Sequence, residues 1–409
     1  MQRRFSSIYE RLSGDIRIKE STMKILFASD LGFRYFDVYH GNEYIERVFS
    51  DLLPTFKAAD FRMLNFETPF AKDDFTPIVK SGPNTRALPE YIYALDVMGI
   101  DAVALANNHT GDFGDDGARF VLEHLHSNGY PTLGAGENID EAYVPHAFEK
   151  NGERVLVLSV CENEFGVAEK DKPGAAGYSL GRVAKFIKNA KAEGCYAVVY
   201  FHGGNEDNPY PSPMKKELYR HFIDLGADSV VAMHTHCPQG YEIYEEKPII
   251  YSMGNFYYTS ARLVKEGKES AFRYGYMTEL DFSGGKVSFV LHPYEFDLEK
   301  IELLRGERLE KFNDYLAEIS APIADDEELR RYFDGWALVG GKVYAGMAVY
   351  TPEMEEDIAA VVHMKNDFSC EAHAEVVKAY LNLCYKGKEA LEQAEEYKKK
   401  LLEKTKIYL

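Results

Sequence analysis

Two histidines separated by one residue are the clearest chemical signal in the chain. Met233-His234-Thr235-His236 follows the apolar run 229–232, which predicts a buried strand. In extended backbone, side chains two residues apart point to the same side. Both imidazoles can therefore reach one metal ion, or two neighbouring ions. The alternative is a pair of surface histidines in a loop, and the motif alone leaves both interpretations open.

A second polar stretch follows the apolar run 102–105. It reads Ala106-Asn107-Asn108-His109-Thr110-Gly111-Asp112. An amide, an imidazole and a carboxylate in this order suit a site that needs a ligand, a proton donor and a group that orients the donor. The alternative is a polar turn in which Asp112 and Asp115 precede and cap a helix.

Other acidic, amide and imidazole side chains also follow apolar runs. They are Asp30, Glu67, His202, Glu206 and Asn255. In α/β proteins, ligands bind beyond the carboxyl ends of the strands. Helix capping explains any single member of this set, but so many members at strand ends favour a common site. The pattern therefore predicts a metal centre built from strand ends.

Apolar runs alternate with segments of helical period from residue 24 to about residue 235. The runs are 24–29, 61–64, 102–106, 154–160, 196–201 and 229–233, with 248–251 beyond them. The helical segments are 42–58, 89–98, 115–127, 180–192 and 214–225. This alternation predicts an α/β domain in which helices cover parallel strands.

The pattern changes after residue 240. Segments 241–244 and 248–251 predict one hairpin, and segments 274–282 and 286–292 predict another that turns at Ser283-Gly284-Gly285. Beyond residue 296 helical period dominates, beginning with 298–320, and a small hairpin is expected at 335–350 around Gly340-Gly341. We therefore expect an N-terminal lead (1–22), an α/β domain (23–296) and a mainly helical C-terminal extension (297–409).

Composition excludes several classes of partner. The 409 residues include 47 Lys and Arg against 66 Asp and Glu, a formal charge of −19. This charge repels nucleic acid and anionic membranes, although a metal cluster can still attract an anionic substrate. The five cysteines are scattered without a C-x-x-C pair, and the N-terminal segment lacks the apolar core of a secretory signal. We therefore expect a cytoplasmic protein with neither nucleic-acid nor membrane partners.

The polar stretches resemble those of the CapA family of capsule and poly-γ-glutamate biosynthesis proteins, a branch of the calcineurin-like metallophosphatase fold. They occur in the family's order across about residues 24–258. The matching stretches are Ser29-Asp30, Asn65-Phe66-Glu67-Thr68-Pro69, Leu105-Ala106-Asn107-Asn108-His109 with Asp112, Phe201-His202-Gly203-Gly204-Asn205-Glu206, Met233-His234-Thr235-His236 and Tyr251-Ser252-Met253-Gly254-Asn255-Phe256. The resemblance implies an α/β fold of the α-β-β-α type, a two-sheet β sandwich flanked by helices.

The resemblance also implies a dinuclear metal centre. One ion would be held by Asp30 and His236, the other by Asn108, His202 and His234, and Glu67 would bridge them. Mixed nitrogen and oxygen ligands suit Mn, Fe or Zn. His109 would lie beside the two divalent ions as an acid or charge stabiliser, and Asp112 completes the expected catalytic pair.

Five further residues are expected to contact an anionic substrate. They are Lys80, Arg86, Asn107, Glu206 and Asn255. Lys80 and Arg86 lie in the loop 80–88 and offer cations for a phosphate or carboxylate group. Solvated loop charges are the alternative for both cations.

The sequence departs from the usual phosphoesterase pattern at two positions. Gly32 stands where a second histidine is usual, and Glu67 stands where aspartate is usual; CapA-type proteins share both changes. Ser29 replaces the glycine that is usual in the CapA family, and no counterpart of the membrane anchor of well-known members is visible. The missing histidine predicts weak binding of the first ion.

Three functions are compatible with this interpretation. The leading expectation is a metal-dependent hydrolase of the phosphoesterase type that acts on a small or polymeric anionic substrate. The first alternative is an accessory protein of capsule or poly-γ-glutamate synthesis that binds or cleaves γ-glutamyl polymer. The second is a metal-binding scaffold whose helical extension contacts partner proteins.

Overall fold

The computed structural model describes residues 22–409. The predicted N-terminal lead lies outside the described residues except for Thr22. Across the described part of the chain, no helix combines the length and the apolar character needed to cross a membrane.

Sixteen strands occur within residues 22–409. They are β1 (Met23–Gly32), β2 (Phe61–Phe66), β3 (Ala102–Ala104), β4 (Thr132–Leu133), β5 (Ala135–Gly136), β6 (His146–Lys150), β7 (Glu153–Cys161), β8 (Gly174–Ala175), β9 (Tyr196–His202), β10 (Ser229–Met233), β11 (Tyr241–Tyr244), β12 (Lys247–Ile250), β13 (Asn255–Tyr258), β14 (Tyr274–Ser283), β15 (Lys286–Phe296) and β16 (Ile301–Leu303).

The strands form two large sheets. The first has the order β16-β15-β14-β1-β2-β3-β4, with β13 also paired to β1, and β1 to β4 run parallel to their neighbours in this path. The second has the order β11-β12-β10-β9-β7-β6, in which β7, β9, β10 and β12 are parallel. Strands β5 and β8 form a separate two-stranded sheet. Parallel strands in both sheets agree with the predicted alternation of strand and helix.

Helices connect the parallel strands and then dominate the C-terminal part. The α-helices are α1 (Asn42–Phe49), α2 (Leu53–Ala58), α3 (Tyr93–Met98), α4 (Gly114–Ser127), α5 (Ile139–Ala142), α6 (Leu180–Ala192), α7 (Pro213–Asp224), α8 (Arg262–Lys265), α9 (Glu307–Ser320), α10 (Asp326–Met347), α11 (Ile358–Ser369), α12 (Glu371–Lys386) and α13 (Lys388–Glu403). Short 3₁₀ helices occupy Pro89–Ile92, Ala271–Arg273, Ala321–Ala324 and Pro352–Glu356.

Side-chain alternation along β1 shows how the sheets pack. Ile25 and Phe27 belong to a buried cluster that includes Val198 of the second sheet. Leu26, between them in sequence, belongs to a different cluster with Val48 of α1. Because successive strand residues face opposite sides, one face of the first sheet meets the second sheet and the other meets helices. This is the α-β-β-α sandwich that the sequence predicts.

Both predicted hairpins are present. Strands β14 and β15 pair from Tyr274–Glu295 to Ser283–Lys286, and Gly284 and Gly285 between them have φ values of 55° and 79°. Two consecutive positive φ angles make the tight turn that matches the twist of the strands, and glycine adopts them without a steric penalty. Strands β11 and β12 also pair antiparallel.

The predicted hairpin at 335–350 is wrong, because most of that segment belongs to α10. A β-carbon on Gly335 would lie 2.5 Å from the backbone nitrogen of Lys398 in α13, and one on Gly341 would lie 2.5 Å from Cβ of Tyr380 in α12. These glycines therefore allow close contact between helices instead of a turn. Such contacts join residues far apart in the sequence, which is why local pattern indicated a loop breaker.

The C-terminal extension shares a core with the sandwich. Phe312 of α9 and Leu401 of α13 lie in the same buried cluster as Leu280 of β14. Part of the segment 298–320, expected to be helical, instead forms the edge strand β16, which pairs with β15. The helices after Gly306 therefore pack directly against the α/β domain.

Candidate metal centre

The predicted ligands meet where parallel strands of both sheets end. Asp30 of β1 is aligned with Asn65 of β2 on one side and with Asn255 of β13 on the other. In the second sheet, His202 of β9 is aligned with Met233 of β10, so His234 follows beside it. Parallel strands carry their carboxyl ends to one edge, and this edge brings the two groups of ligands together.

Glu67 lies at the centre of this edge. Its side chain is fully buried, and within residues 22–409 no donor hydrogen-bonds to either carboxylate oxygen. Burying an unpartnered carboxylate is costly. Glu67 belongs to two groups whose possible ligand atoms all lie within 4.8 Å of one another: Asp30, Glu67 and His236, and Glu67, His202 and His234. A shared carboxylate with free lone pairs fits two cations.

The second group surrounds Nε2 of His202. This nitrogen lies 3.1 Å from Oδ1 of Asn108, 2.9 Å from Nδ1 of His234 and 3.7 Å from Oε1 of Glu67. All four atoms are potential metal ligands, and both histidines are buried. The geometry thus groups Asn108, His202 and His234 as the sequence predicts.

The first group is held by hydrogen bonds from outside it. Asn65 Nδ2 donates to Asp30 Oδ1 at 2.7 Å, and the backbone nitrogen of His234 donates to Asp30 Oδ2 at 3.0 Å. Nδ1 of His236 lies 2.7 Å from Oδ1 of Asn255. When Nδ1 donates this bond, Nε2 of His236 keeps its lone pair and can bind a metal.

The backbone of the H-x-H motif is strained. His234 has φ of 102° and His236 has φ of 56°, a region that residues with a β-carbon adopt at a cost. Strained backbone persists where surrounding structure enforces it, and it clusters at functional sites. Here it turns both imidazoles toward the edge that holds Glu67.

Burial sets the protonation of the centre. It raises the pKa of the Glu67 carboxyl well above its usual range, and the charges of Asp30 and Glu206 add to this shift. Burial also lowers the pKa of His202 and of His234. Neutral imidazole is the form that binds metals, whereas Glu67 requires a nearby cation to become a carboxylate at neutral pH.

His109 and Asp112 form a buried pair beside the ligands. Nδ1 of His109 lies 2.8 Å from Oδ2 of Asp112. His109 and Lys80 lower the pKa of Asp112 although burial opposes them, so the carboxylate accepts and His109 Nδ1 donates. The backbone nitrogen of Thr85 also donates to Asp112, at 2.6 Å. Asp112 therefore fixes the tautomer of His109 and leaves its Nε2 available.

The family assignment follows from the whole sandwich region. The family model described as bacterial capsule synthesis protein PGA_cap matches residues 11–260, more than half of the chain and every one of the predicted metal ligands. The chain belongs to this family.

Curated relatives of this family member carry capsule-related names. It is 30% identical over 225 residues to the capsule biosynthesis protein CapA of Bacillus anthracis, covering 53% of this chain and 54% of the relative. It is 26% identical over 247 residues to the PGA biosynthesis protein CapA of Bacillus subtilis (strain 168), covering 59% and 65%. The chain thus spans between half and two thirds of the length of these relatives.

A solved structure with a similar arrangement comes from Thermus thermophilus. It is titled a hypothetical protein, is 17% identical, covers 67% of this chain and 99% of its own, and superposes with a TM-score of 0.43.

Tyr258 explains the glycine at the position where phosphoesterases place a second histidine. A β-carbon on Gly32 would lie 2.6 Å from Cδ2 of Tyr258. The ring of Tyr258 lies against His236, with centroids 4.8 Å apart. In this PGA_cap member the aromatic ring thus fills the space of the missing ligand, and the first group offers Asp30, Glu67 and His236.

Three of the predicted substrate contacts are occupied by protein partners. Asn107 donates to Asn65 and Phe66 and accepts from His109 and Thr110. Asn255 is engaged with His236 and with the carbonyl of Phe272. Lys80 is buried and contacts Asp112 and His109. These contacts favour positioning of the ligands and of His109 over direct contact with substrate.

The remaining two predicted contacts lie further out. Arg86 is half-buried and donates to the exposed Asp73 at 2.6 Å, an arrangement typical of a surface ion pair. Glu206 is exposed on the loop after β9, and its charge acts on Glu67 and His109. Substrate contact by Arg86 and Glu206 stays a prediction.

Two features near the centre escaped the sequence analysis. Asn65 links Asp30 to Asn107 through its amide, although its place beside Glu67 at the end of β2 was a usable signal. Glu162 and Lys215 form a buried ion pair at 2.6 Å, and Glu162 also accepts from the backbone of Gly204. Nothing local in the sequence connects Glu162 with Lys215.

Proposed function

We propose that the chain is a metal-dependent hydrolase with a phosphoesterase-type dinuclear centre and that its substrate is anionic. The observation that carries the proposal is the buried Glu67 carboxylate, which has no hydrogen-bond partner in the described residues and belongs to two convergent ligand groups. An apolar or hydrogen-bonded residue would serve a purely structural core better.

The ligand set fits a pair of divalent cations. Asp30, Glu67 and His236 would hold one, and Asn108, His202 and His234, with Glu67, would hold the other. Imidazole, carboxylate and amide ligands suit Mn, Fe or Zn. Two such ions supply a water of lowered pKa and an electrostatic clamp for the oxygens of the scissile group.

His109 is the residue that would move a proton. Asp112 holds its Nδ1 proton, so Nε2 takes up and releases the proton that a departing oxygen needs. Burial lowers the pKa of His109, while Asp112 counteracts that shift. Lys80 is fixed between His109 and Asp112, where its charge stabilises the ionised Asp112.

A second candidate function follows from the relatives' names. Besides the CapA relatives, the chain is 30% identical over 218 residues to a protein of Mycobacterium tuberculosis named as a probable polyglutamine synthesis accessory protein. In this alternative the centre binds or cleaves a γ-glutamyl polymer during polymer synthesis. Gly32 favours it, because a first ion with fewer protein ligands suits binding of carboxylates without rapid turnover.

A substrate screen separates the two candidates. The full chain, loaded with Mn²⁺ or Zn²⁺, is assayed with phosphomonoesters, phosphodiesters and γ-glutamyl oligomers, alongside His202→Ala and the exposed-site control His126→Ala. Turnover of a phosphoester that is lost in His202→Ala and kept in His126→Ala supports the hydrolase. Binding or cleavage of γ-glutamyl oligomers without phosphoester turnover supports the second candidate, and inactivity with all three classes contradicts both.

A further inference from the structure

A second group of metal-binding side chains lies between the α/β domain and the C-terminal extension. Glu164 is in the loop after β7, while Cys370 and His373 lie at the start of α12. Their possible ligand atoms all lie within 4.8 Å of one another. A carboxylate, a thiol and an imidazole at this separation are the donors that zinc takes in proteins.

The three side chains are enclosed and point toward one another. Cys370 is fully buried, and the side chains of Glu164 and His373 are 8% and 20% exposed. Nε2 of His373 lies 3.9 Å from the Glu164 carboxylate, too far for a hydrogen bond. The space between these two atoms is of the size that a bridging cation fills.

The other nitrogen of His373 has an orienting carboxylate. Oδ1 of Asp367 in α11 lies 3.7 Å from Nδ1 of His373, and the side-chain amide of Asn366 lies 3.3 Å from the same nitrogen. Asp367 is only 4% exposed, and its Oδ2 has no hydrogen-bond partner within the described residues. A carboxylate behind a histidine is the usual outer contact of a metal-bound imidazole, because it fixes the tautomer and the ring.

The local charge also calls for a cation. Lys215 is paired with Glu162, and Glu371 accepts hydrogen bonds from the backbone and side chain of Asn163. In the part of the chain that the structure describes, the ion-pair partner of both Glu164 and Asp367 is His373 and not a lysine or arginine. One imidazole cannot neutralise two enclosed carboxylates, whereas a divalent ion bound by Glu164 can.

We propose that Glu164, Cys370 and His373 bind a third divalent cation of the Zn²⁺ type and that Asp367 orients His373. Glu164 lines the same small cavity as His202 and His234. The third cation would therefore fasten the start of α12 against the rim of the dinuclear centre. It makes the C-terminal extension part of the wall of that centre.

Cobalt substitution tests this site separately from the dinuclear centre. The six ligands of the dinuclear centre contain no sulfur, so a thiolate-to-Co²⁺ charge-transfer band in the near ultraviolet reports the third site alone. The full chain saturated with Co²⁺ is expected to show this band. Cys370→Ser is expected to lose the band, whereas Cys384→Ser, which changes an exposed cysteine of the same helix, keeps it. Glu67→Gln also keeps it, because that change affects the other centre.

Two further measurements guard against misfolding of Cys370→Ser. Asp367→Asn, a conservative change, should weaken Co²⁺ binding at the thiolate site about 10–100-fold without removing the band at saturation. In the wild-type chain, Zn²⁺ should slow alkylation of Cys370 but leave alkylation of Cys384 unchanged, as read by mass spectrometry. Absence of the band in the wild type, or its persistence in Cys370→Ser, overturns the proposal, as does alkylation of Cys370 that ignores Zn²⁺.

Discussion

Nε2 of His202 lies 3.7 Å from Oε1 of Glu67, a separation that a hydrogen bond cannot span but that a common metal ligand sphere can. His202 comes from the second sheet and Glu67 from the loop after β2 of the first. The contact across the sandwich thus joins the two sheets at the edge where their parallel strands end. Its energetic consequence depends on whether a cation is bound.

Without metal, Glu67 should destabilise the folded chain, and more so at higher pH. Burial raises the pKa of Glu67, so the folded state keeps a proton that the unfolded state releases as pH rises through the usual glutamate pKa. Stability then falls with rising pH until the folded-state pKa is passed. Glu67→Gln should therefore stabilise chelator-treated protein, by about 1–3 kcal/mol at pH 8, and by less at pH 5.

Urea unfolding at the two pH values measures this effect. The exposed-site control Glu149→Gln should shift stability equally at both. With saturating Mn²⁺ the sign should reverse, because the wild type then gains binding energy that Glu67→Gln lacks. A Glu67→Gln variant that is less stable than the wild type in chelator would contradict this interpretation of the unpartnered carboxylate.

The buried pair of Glu162 and Lys215 should depend on both partners. Glu162→Gln leaves the Lys215 ammonium enclosed without its counter-charge, and such a change costs about 3–5 kcal/mol. The double variant Glu162→Gln with Lys215→Met should recover much of the loss in thermal or urea unfolding. In the exposed pair Lys388–Glu392, with side chains 88% and 67% exposed, Glu392→Gln should cost less than about 1 kcal/mol. Equal effects of the two glutamine substitutions would show that burial of the pair has no energetic weight.

Gly32 should be intolerant of even one added methyl group. A β-carbon there would meet the ring of Tyr258 at 2.6 Å, and overpacking of this kind costs about 1–3 kcal/mol. Gly181 in α6 has open space around its Cα, so Gly181→Ala should instead stabilise by about 0.4–1 kcal/mol. Unfolding experiments on both variants decide the point, and a neutral Gly32→Ala would remove Tyr258 as the reason for the missing histidine.

His109 and His202 should differ in what their loss removes. His202→Ala should lower metal content together with any turnover. His109→Asn should keep the metal content and lower turnover by about 10²–10⁴, least for leaving groups such as nitrophenolate that need no proton. Metal analysis beside steady-state rates tests this, with His126→Asn as the surface control. Release of metal by His109→Asn together with retention by His202→Asn would reverse the assignment of roles.

The ligand set was predictable because each ligand follows a short apolar run, a pattern that survives in the sequence whatever the loops do. Asp30, His202 and His234 meet for that reason. The roles of Asn107 and Asn255 were not predictable in the same way. Both amides look like substrate contacts in sequence, but hydrogen bonds with partners such as Asn65 and His236 occupy them.

Contacts between distant segments explain the rest. Gly335 and Gly341 resemble turn residues until α12 and α13 pack against them. The group formed by Glu164, Cys370 and His373 joins the loop after β7 to the C-terminal extension, and no local spacing of these residue types reveals it. Such juxtapositions depend on tertiary packing, which periodicity along a single chain does not encode.

The position of Glu67 between two cations is the central claim, and anomalous diffraction tests it most directly. Crystals of the full chain soaked in Mn²⁺ are measured at a wavelength where manganese scatters anomalously. The account predicts two peaks about 3.5–4 Å apart, one on the side of Asp30 and His236, the other on the side of His202 and His234, with Glu67 coordinating both. A single peak at this edge, or two peaks that Glu67 does not contact, would contradict it.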